Sequence, residues 1–168
     1  MESRILKYAE KKNTSFVCFI SSHGSNGKVY DRRGNSIELE KLYKAASRLL
    51  PEIPKCFFIC ACRTEGEKCR YRADVVTPDT VIGYASTIGS PSKQSRSGGS
   101  VYFKYLIENL KESLTLPAVR RDPKPELNYT RDIHHIMAKV HDDMKKNTEM
   151  VPMYSSTLTR LLYLRSEM

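Results

Sequence analysis

His23 and Cys62 are the two residues whose types and placement could carry covalent chemistry together in this 168-residue chain. Each follows an apolar run: Phe16-Val17-Cys18-Phe19-Ile20 leads into Ser21-Ser22-His23-Gly24, and Cys56-Phe57-Phe58-Ile59-Cys60-Ala61 leads into Cys62-Arg63. A free thiol has a pKa of about 8.5 and is only slightly ionised at neutral pH, so it needs a neighbour to accept its proton or stabilise the thiolate. An imidazole does this and can later protonate a leaving amine. The backbone N–H groups of Gly24 and Cys62 could then hold the developing oxyanion, provided glycine lets the loop approach closely. The plainer alternatives are an isolated loop histidine and a cysteine serving as a small core residue.

Such a pair must be held by elements that end side by side. Unbroken apolar runs of this length predict strands covered on both faces, as in a parallel sheet, and the loops at their carboxyl ends are where open α/β sheets place chemistry. Residues 21–27 form the first such loop, polar and punctuated by glycine. Between the two strands, Asn35 and Glu38 make a capping pair for a helix. Its apolar positions Leu39, Leu42, Tyr43, Ala46, Leu49 and Leu50 keep helical spacing and stop before Pro51. Strand, helix, strand is the right-handed crossover that builds a parallel sheet.

Residues 64–80 are charged and contain Pro78, which predicts an exposed linker, and Val81-Ile82-Gly83-Tyr84-Ala85 reads as a third strand. A Gly- and Ser-rich loop over 89–100 leads to a helix with Phe103, Leu106, Ile107, Leu110 and Leu114 on one face. Beyond a Pro-rich break at 117–125, Ile133, Ile136, Met137, Val140 and Met144 mark another helix, and Thr157–Leu164 reads as a last strand. Residues 2–12, with Ile5, Leu6 and Ala9 among charges, read as the tail of an amphipathic helix. The fold class is α/β in one domain.

Composition narrows the alternatives. The net charge of +9 is spread over Arg32-Arg33, Lys68 with Arg70 and Arg72, Arg120-Arg121 with Lys124, and Lys145-Lys146, none interleaved with aromatics, so no specific nucleic-acid partner is expected. No apolar run approaches the roughly 18 residues of a membrane span, and no secretory leader opens the chain, so a cytoplasmic protein is expected. The odd count of 5 cysteines fits a reducing compartment. Cys56, Cys60, Cys62 and Cys69 match no common zinc spacing, and His134, His135 and His141 read as ordinary helix residues; no metal and no cofactor are expected. No glycine-rich phosphate loop is present.

The segments Phe16–Gly24 and Ile59-Cys60-Ala61-Cys62-Arg63 resemble the caspase family of cysteine endopeptidases, whose signature is Q-A-C-R-G. Val81–Thr87 resembles the strand opening the family's small subunit, Gly99-Ser100-Val101-Tyr102-Phe103 the entry to its next helix, and Thr157–Leu164 its last strand. The resemblance implies a mainly parallel sheet flanked by helices, lacking the family's first strand and helix. It makes 1–63 a large-subunit-like part, 64–80 the intersubunit linker and 81–168 a small-subunit-like part of one catalytic domain. It assigns Cys62 as nucleophile, His23 as general acid/base and Gly24 with Cys62 as oxyanion donors, and it makes Asp74 and Asp79 candidate processing sites. It further implies peptide substrates, a role in apoptotic or inflammatory signalling, and a homodimer or a heterodimer with another caspase through residues 157–164.

Departures fall in the substrate pocket. The family grips a P1 aspartate with two arginines and the signature glutamine, because a buried carboxylate demands charged, bidentate donors. Cys60 stands at the glutamine position and Gln94 at that of the small-subunit arginine, counting back from Ser100, with Lys93 and Arg96 out of register nearby. The remaining arginine belongs to a segment before Met1. Thr64 replaces the signature glycine. Aspartate cleavage is therefore expected to be weak, and the alternative is a catalytically poor homologue that regulates an active caspase by dimerisation.

Overall fold

The computed structural model describes residues 5, 14–25, 27–63, 77–87, 92, 99–115 and 131–164. Strand β1 (Phe16–Ser21) runs parallel to a later strand across its whole length, and a small hairpin region follows it: β2 (Gly24–Ser25), β3 (Lys28–Tyr30) and β4 (Ser36–Glu38). Helix α1 (Leu39–Leu49) leads to β5 (Lys55–Cys60), then come β6 (Thr80–Tyr84), α2 (Val101–Thr115), α3 (Ile133–Asn147) and β7 (Met153–Ser156). The main sheet has the order β1-β5-β6-β7, parallel through β6 with β7 antiparallel at its edge; β2-β3-β4 form a separate antiparallel sheet. This is the mainly parallel α/β sheet that the apolar runs predict, but β1 is an edge strand and is not covered on both faces as expected: Phe19 is 45% exposed.

Side-chain alternation divides the core into two layers. Phe57 and Ile59 of β5 and Ile82 and Tyr84 of β6 face α1, where Leu42, Tyr43 and Ala46 are buried. Phe58, Cys60 and Val81 face α2 and α3, against Tyr102, Leu106, Ile136, Met137 and Val140. Every residue of β5 and of β6 is buried, as a strand covered on both faces requires. At Gly83 the main sheet has no room for a side chain: an added Cβ would run into the Tyr102 hydroxyl. Lys55 opens β5 at 1% exposure with its Nζ donating to the carbonyls of Leu50 at 3.1 Å and Ile53 at 2.9 Å.

Three expectations need correction. The Asn35–Glu38 cap does not form. Glu38 occupies the N-cap without a side-chain bond, and the Asn35 N–H and Nδ2 donate instead to the Asp31 carboxylate at 2.8 and 2.9 Å, closing the β3–β4 turn. The 21–27 loop is partly strand, because Gly24–Ser25 pairs with Lys28–Val29. The last strand is Met153–Ser156, not Thr157–Leu164; in the latter stretch Tyr163 makes an isolated bridge to Asp132. There Leu158 and Leu164 pack into the α2–α3 layer, Leu162 is 7% exposed and Leu161 is 62% exposed, an apolar run laid over the core without joining the ladder.

Of the helix expected over 2–12, Ile5 alone is among the described residues and is buried against the α1 layer. Most of the linker 64–80, most of the loop 89–100 and the whole Pro-rich stretch 117–125 lie outside the described residues. No described helix is long and apolar enough to cross a membrane.

Candidate active site

Register across β1 and β5 decides which residues meet. Ser21 and Cys60 are Cα partners, and the Ser22 N–H donates to the Cys60 carbonyl at 3.1 Å. His23 and Cys62 each stand two positions past that last pair, so parallel strands deliver both to adjacent tips. Both line one cleft of about 1360 Å³, together with Cys60, Ser92 and Ser100. The cleft also runs along β1 from Phe16 to Ser21 and over Ile5, Val29, Ile37 and Leu42.

Gly24 fits the site through its lack of a side chain. A Cβ there would lie 2.7 Å from the Ala61 Cβ and 2.8 Å from the Cys62 carbonyl oxygen, so the His23-Gly24 backbone rests directly on the Cys62 backbone. The Tyr30 N–H donates to the His23 carbonyl at 3.0 Å, and Gly24 faces Val29 as the next pair of the ladder. Antiparallel alternation turns the N–H of that next pair away from the partner strand, which leaves the Gly24 amide unspent by the hairpin.

The Cys62 sulfur lies 3.7 Å from the Ser92 hydroxyl. Arg63 is clamped on the far side: its guanidinium carbon lies 3.9 Å from the Tyr84 ring centroid, and Nη1 is 3.8 Å from the Met153 sulfur. Tyr84 in turn shares a 3.1 Å hydroxyl contact with Tyr43. The turn after β5 is thus anchored through β6 to α1.

The other described thiols sit in different settings. Burial pushes Cys56 up to about 12 and raises Cys18 as well, which keeps both protonated at neutral pH. Cys60 is 5% exposed and packs in the α2–α3 layer while lining the cleft, and no arginine or glutamine occupies its position. Ser100 lines the cleft too, and its Oγ accepts the Phe103 N–H at 3.1 Å as a cap for α2. Lys93, Gln94 and Arg96 lie outside the described residues, as does Asp74.

Asp79 holds a left-handed φ of 48°, its carbonyl accepts the Lys55 N–H at 2.8 Å, and its carboxylate accepts from the Thr159 hydroxyl at 3.2 Å. Among the described residues no group of three or more His, Cys, Asp or Glu side chains could hold a metal ion. His135 pairs with the N-cap Asp132, and His134 and His141 flank the Tyr154 ring at 6.1 and 5.5 Å between centroids.

Sequence reasoning missed the hairpin side of the cleft. Tyr30, Asp31 and Arg32 line it, carried there by the β3–β4 turn. Asn26-Gly27 between β2 and β3 is a strong short-range hairpin signal, and Gly27 adopts φ 76°.

Comparison with known proteins bears on the family and the fold. The model of the caspase domain family matches residues 1–163. Caspase-3 of Mus musculus is 31% identical over 123 residues, which cover 64% of this chain and 44% of that protein. Caspase-3 of Bos taurus is 29% identical over 126 residues, covering 66% of this chain and 46% of that protein. The chain therefore spans less than half the length of these curated relatives. The crystal structure of Caspase-1 from Spodoptera frugiperda superposes with a TM-score of 0.68 at 21% identity, over 96% of this chain and 68% of that one, a likeness of fold. Family match and fold agree along nearly the whole sequence, and the chain belongs to the caspase family.

Proposed function

We propose that this domain is a caspase-type cysteine endopeptidase acting on protein substrates, with Cys62 as nucleophile and His23 as general acid/base. The observation that carries the reading is the pair of adjacent strand tips, with Gly24 seated on the Cys62 carbonyl and His23 and Cys62 lining one cleft. In the reaction the Cys62 proton passes to His23 and the thiolate attacks the peptide carbonyl carbon. The N–H groups of Gly24 and Cys62 hold the oxyanion. As the carbon–nitrogen bond breaks, His23 returns the proton to the leaving amine. Water, deprotonated by His23, then hydrolyses the thioester and frees Cys62.

Residues 1–63 and 81–168 act as large- and small-subunit-like parts joined by the linker 64–80, where Asp74 is the better processing candidate. Asp79 is tied down by Lys55 and Thr159 at the root of β6, whereas cleavage requires an extended, accessible strand of substrate.

Aspartate at P1 is a poor substrate in this reading. Cys60 offers a P1 carboxylate no charged donor, and a buried carboxylate left unpaired costs about 3–5 kcal/mol, or roughly two to four decades in rate. The setting is apoptotic or inflammatory signalling in the cytoplasm, as the family resemblance implies.

The test is competitive alkylation with iodoacetamide, read by peptide mass spectrometry. Cys62 is expected to react fastest of the five cysteines, and His23→Ala to slow it; equal reactivity at all five would sink the catalytic reading. A peptide library with varied P1 residues tests the pocket, and efficient cleavage after aspartate would overturn the specificity claim.

A second reading is favoured by β7, a sheet edge with no outer partner among the described residues and with exposed Val151 just before it in the chain. There the chain regulates an active caspase by strand pairing. Sedimentation of the chain, alone and mixed with an active caspase, decides it: no association at tens of micromolar removes the regulator.

A further inference from the structure

Arg32 is a cation set into the cleft with no function in the chemistry described above. It sits in the β3–β4 turn, which Gly34 closes at φ 81°. The turn is stiff. Asp31 Oδ1 accepts the N–H groups of Arg33 and Asn35, both at 2.8 Å, and Asp31 Oδ2 accepts Asn35 Nδ2 at 2.9 Å. These bonds, the Asn35 side chain foremost, hold the Asp31 carboxyl below the usual carboxylate range. They also engage both of its oxygens inside the turn rather than on Arg32. No described residue accepts a hydrogen bond from the Arg32 guanidinium, which is exposed.

The turn also has a fixed relation to the reacting atoms. Tyr30 is bonded through its N–H to the His23 carbonyl, and Arg32 follows two residues later, past the end of β3 and within the turn, at most about 7 Å from Tyr30. His23 is the group that hands its proton to the departing amine in the proposed reaction, so the hairpin hanging from it borders the leaving-group half of a bound peptide. An extended substrate advances about 3.3 Å per residue, so its second residue past the scissile bond stands about 7 Å from the reacting carbon, a span comparable with that from Tyr30 to Arg32. A guanidinium there offers a planar, permanently charged fork to a carboxylate.

We propose that Arg32 forms an acid-accepting subsite on the leaving-group side of the cleft, selecting substrates with Asp or Glu about two residues beyond the scissile bond. This deepens the endopeptidase reading and rests on it. It is separate from the P1 pocket, where Cys60 supplies no cation.

The test uses the full chain carrying Cys62→Ser, so that substrates bind without turnover. Fluorescent peptides are matched except for Glu, Gln or Lys at the second residue after the scissile bond, and binding is followed by anisotropy. The Glu peptide is expected to bind roughly three- to tenfold tighter than the Lys peptide at 50 mM salt, an advantage that shrinks at 500 mM. Arg32→Glu should abolish or reverse it. Arg33→Glu makes the same charge change beside it in the turn, at a residue that does not line the cleft, and should leave most of the preference.

Equal binding of the three peptides, no binding of any, or identical effects of the two variants would overturn the subsite. Iodoacetamide reactivity of Cys62 in the unmutated chain is read alongside. It does not depend on Arg32, so a reactive Cys62 without acid preference fails the subsite alone, whereas an unreactive one fails the endopeptidase reading.

Discussion

The Arg63 guanidinium lies 3.9 Å from the centre of the Tyr84 ring, so the residue after Cys62, just past the end of β5, is fastened to the last residue of β6. Both strands run parallel and end together, which lets a single cation–π contact fix the direction in which the chain leaves the sheet. A contact of this kind contributes about 0.5–2 kcal/mol, depending on how far it is desolvated. Arg63→Ala is expected to lower the melting temperature by about 2–4 °C per kcal/mol lost and to slow alkylation of Cys62. Arg63→Lys keeps the charge without the planar stack and should fall between. Unchanged reactivity at Cys62 in Arg63→Ala would show that the clamp does not position the thiol.

Gly24→Ala tests the closest approach at the site. The added Cβ would meet the Cys62 carbonyl oxygen at 2.8 Å and the Ala61 Cβ at 2.7 Å, and neither is the free end of a flexible side chain. Backbone must move, at a cost of about 1–3 kcal/mol in stability. Peptide cleavage should fall by more than that loss of folded protein explains, because the shifted amide is the proposed oxyanion donor. Gly27→Ala is the comparison: its φ of 76° makes it strained, yet nothing lies within 4 Å, so it should destabilise without a selective effect on cleavage.

These elements differ in how plainly the sequence announces them. Phe57, Phe58, Ile59 and Cys60 leave no polar face, and a strand of that kind has one place to go, the middle of a sheet covered on both sides. The register that brings His23 and Cys62 to neighbouring tips then follows from two apolar runs of similar length ending in loops. Helix α3 is legible from its period, with Ile136, Met137 and Val140 buried on one side; α2 is legible as a helix, but its buried face is Tyr102, Leu106, Asn109 and Ser113, while Ile107 and Leu114 of the expected face are exposed.

The hairpin is different. Gly24–Ser25 and Lys28–Tyr30 are two and three residues long, too short for alternation to register, and their ladder is set by turn chemistry at Gly27 and Asp31 rather than by burial. Arg32 enters the cleft through that hairpin, so the acid-accepting subsite was invisible to any reading by hydrophobic pattern. The last strand misled for the opposite reason. Thr157–Leu164 is more apolar than Met153–Ser156, yet its leucines cap the core while the half-polar stretch before it carries the ladder to β6.

Leu161 and Leu162 separate those two roles by experiment. Leu162 is 7% exposed and its carbonyl accepts the Ile133 N–H at 2.9 Å, at the first turn of α3. Leu162→Glu buries a carboxylate and should cost about 3 kcal/mol or more. Leu161 is 62% exposed, so Leu161→Glu should change stability by no more than about 0.5 kcal/mol. Thermal denaturation of both variants decides the point. If Leu161→Glu also weakens self-association in sedimentation, the segment borders an interface; equal destabilisation by both variants would contradict the burial described here.

Acid should loosen the contact between α2 and α3 before it reaches the sheet. Glu112 of α2 accepts from Arg131 at 3.1 Å and is also paired with Lys139 of α3. Hydrogen bonds from Arg131 and then Lys139 pull its carboxyl down to about 2. A carboxyl lowered on folding contributes stability that is fully present above its unfolded pKa of about 4.3 and is lost as pH falls through the folded value. The window is therefore from just above pH 4 down to about pH 2. Glu112 is largely solvated, so screening limits the contribution to under about 1 kcal/mol. Glu112→Gln should lower stability slightly at pH 7 and flatten the pH dependence across that window, as measured by urea denaturation at each pH. A variant whose stability falls between pH 4 and 2 as steeply as that of the unmutated chain would remove Glu112 as the group responsible. The loss would then be assigned to other carboxylates.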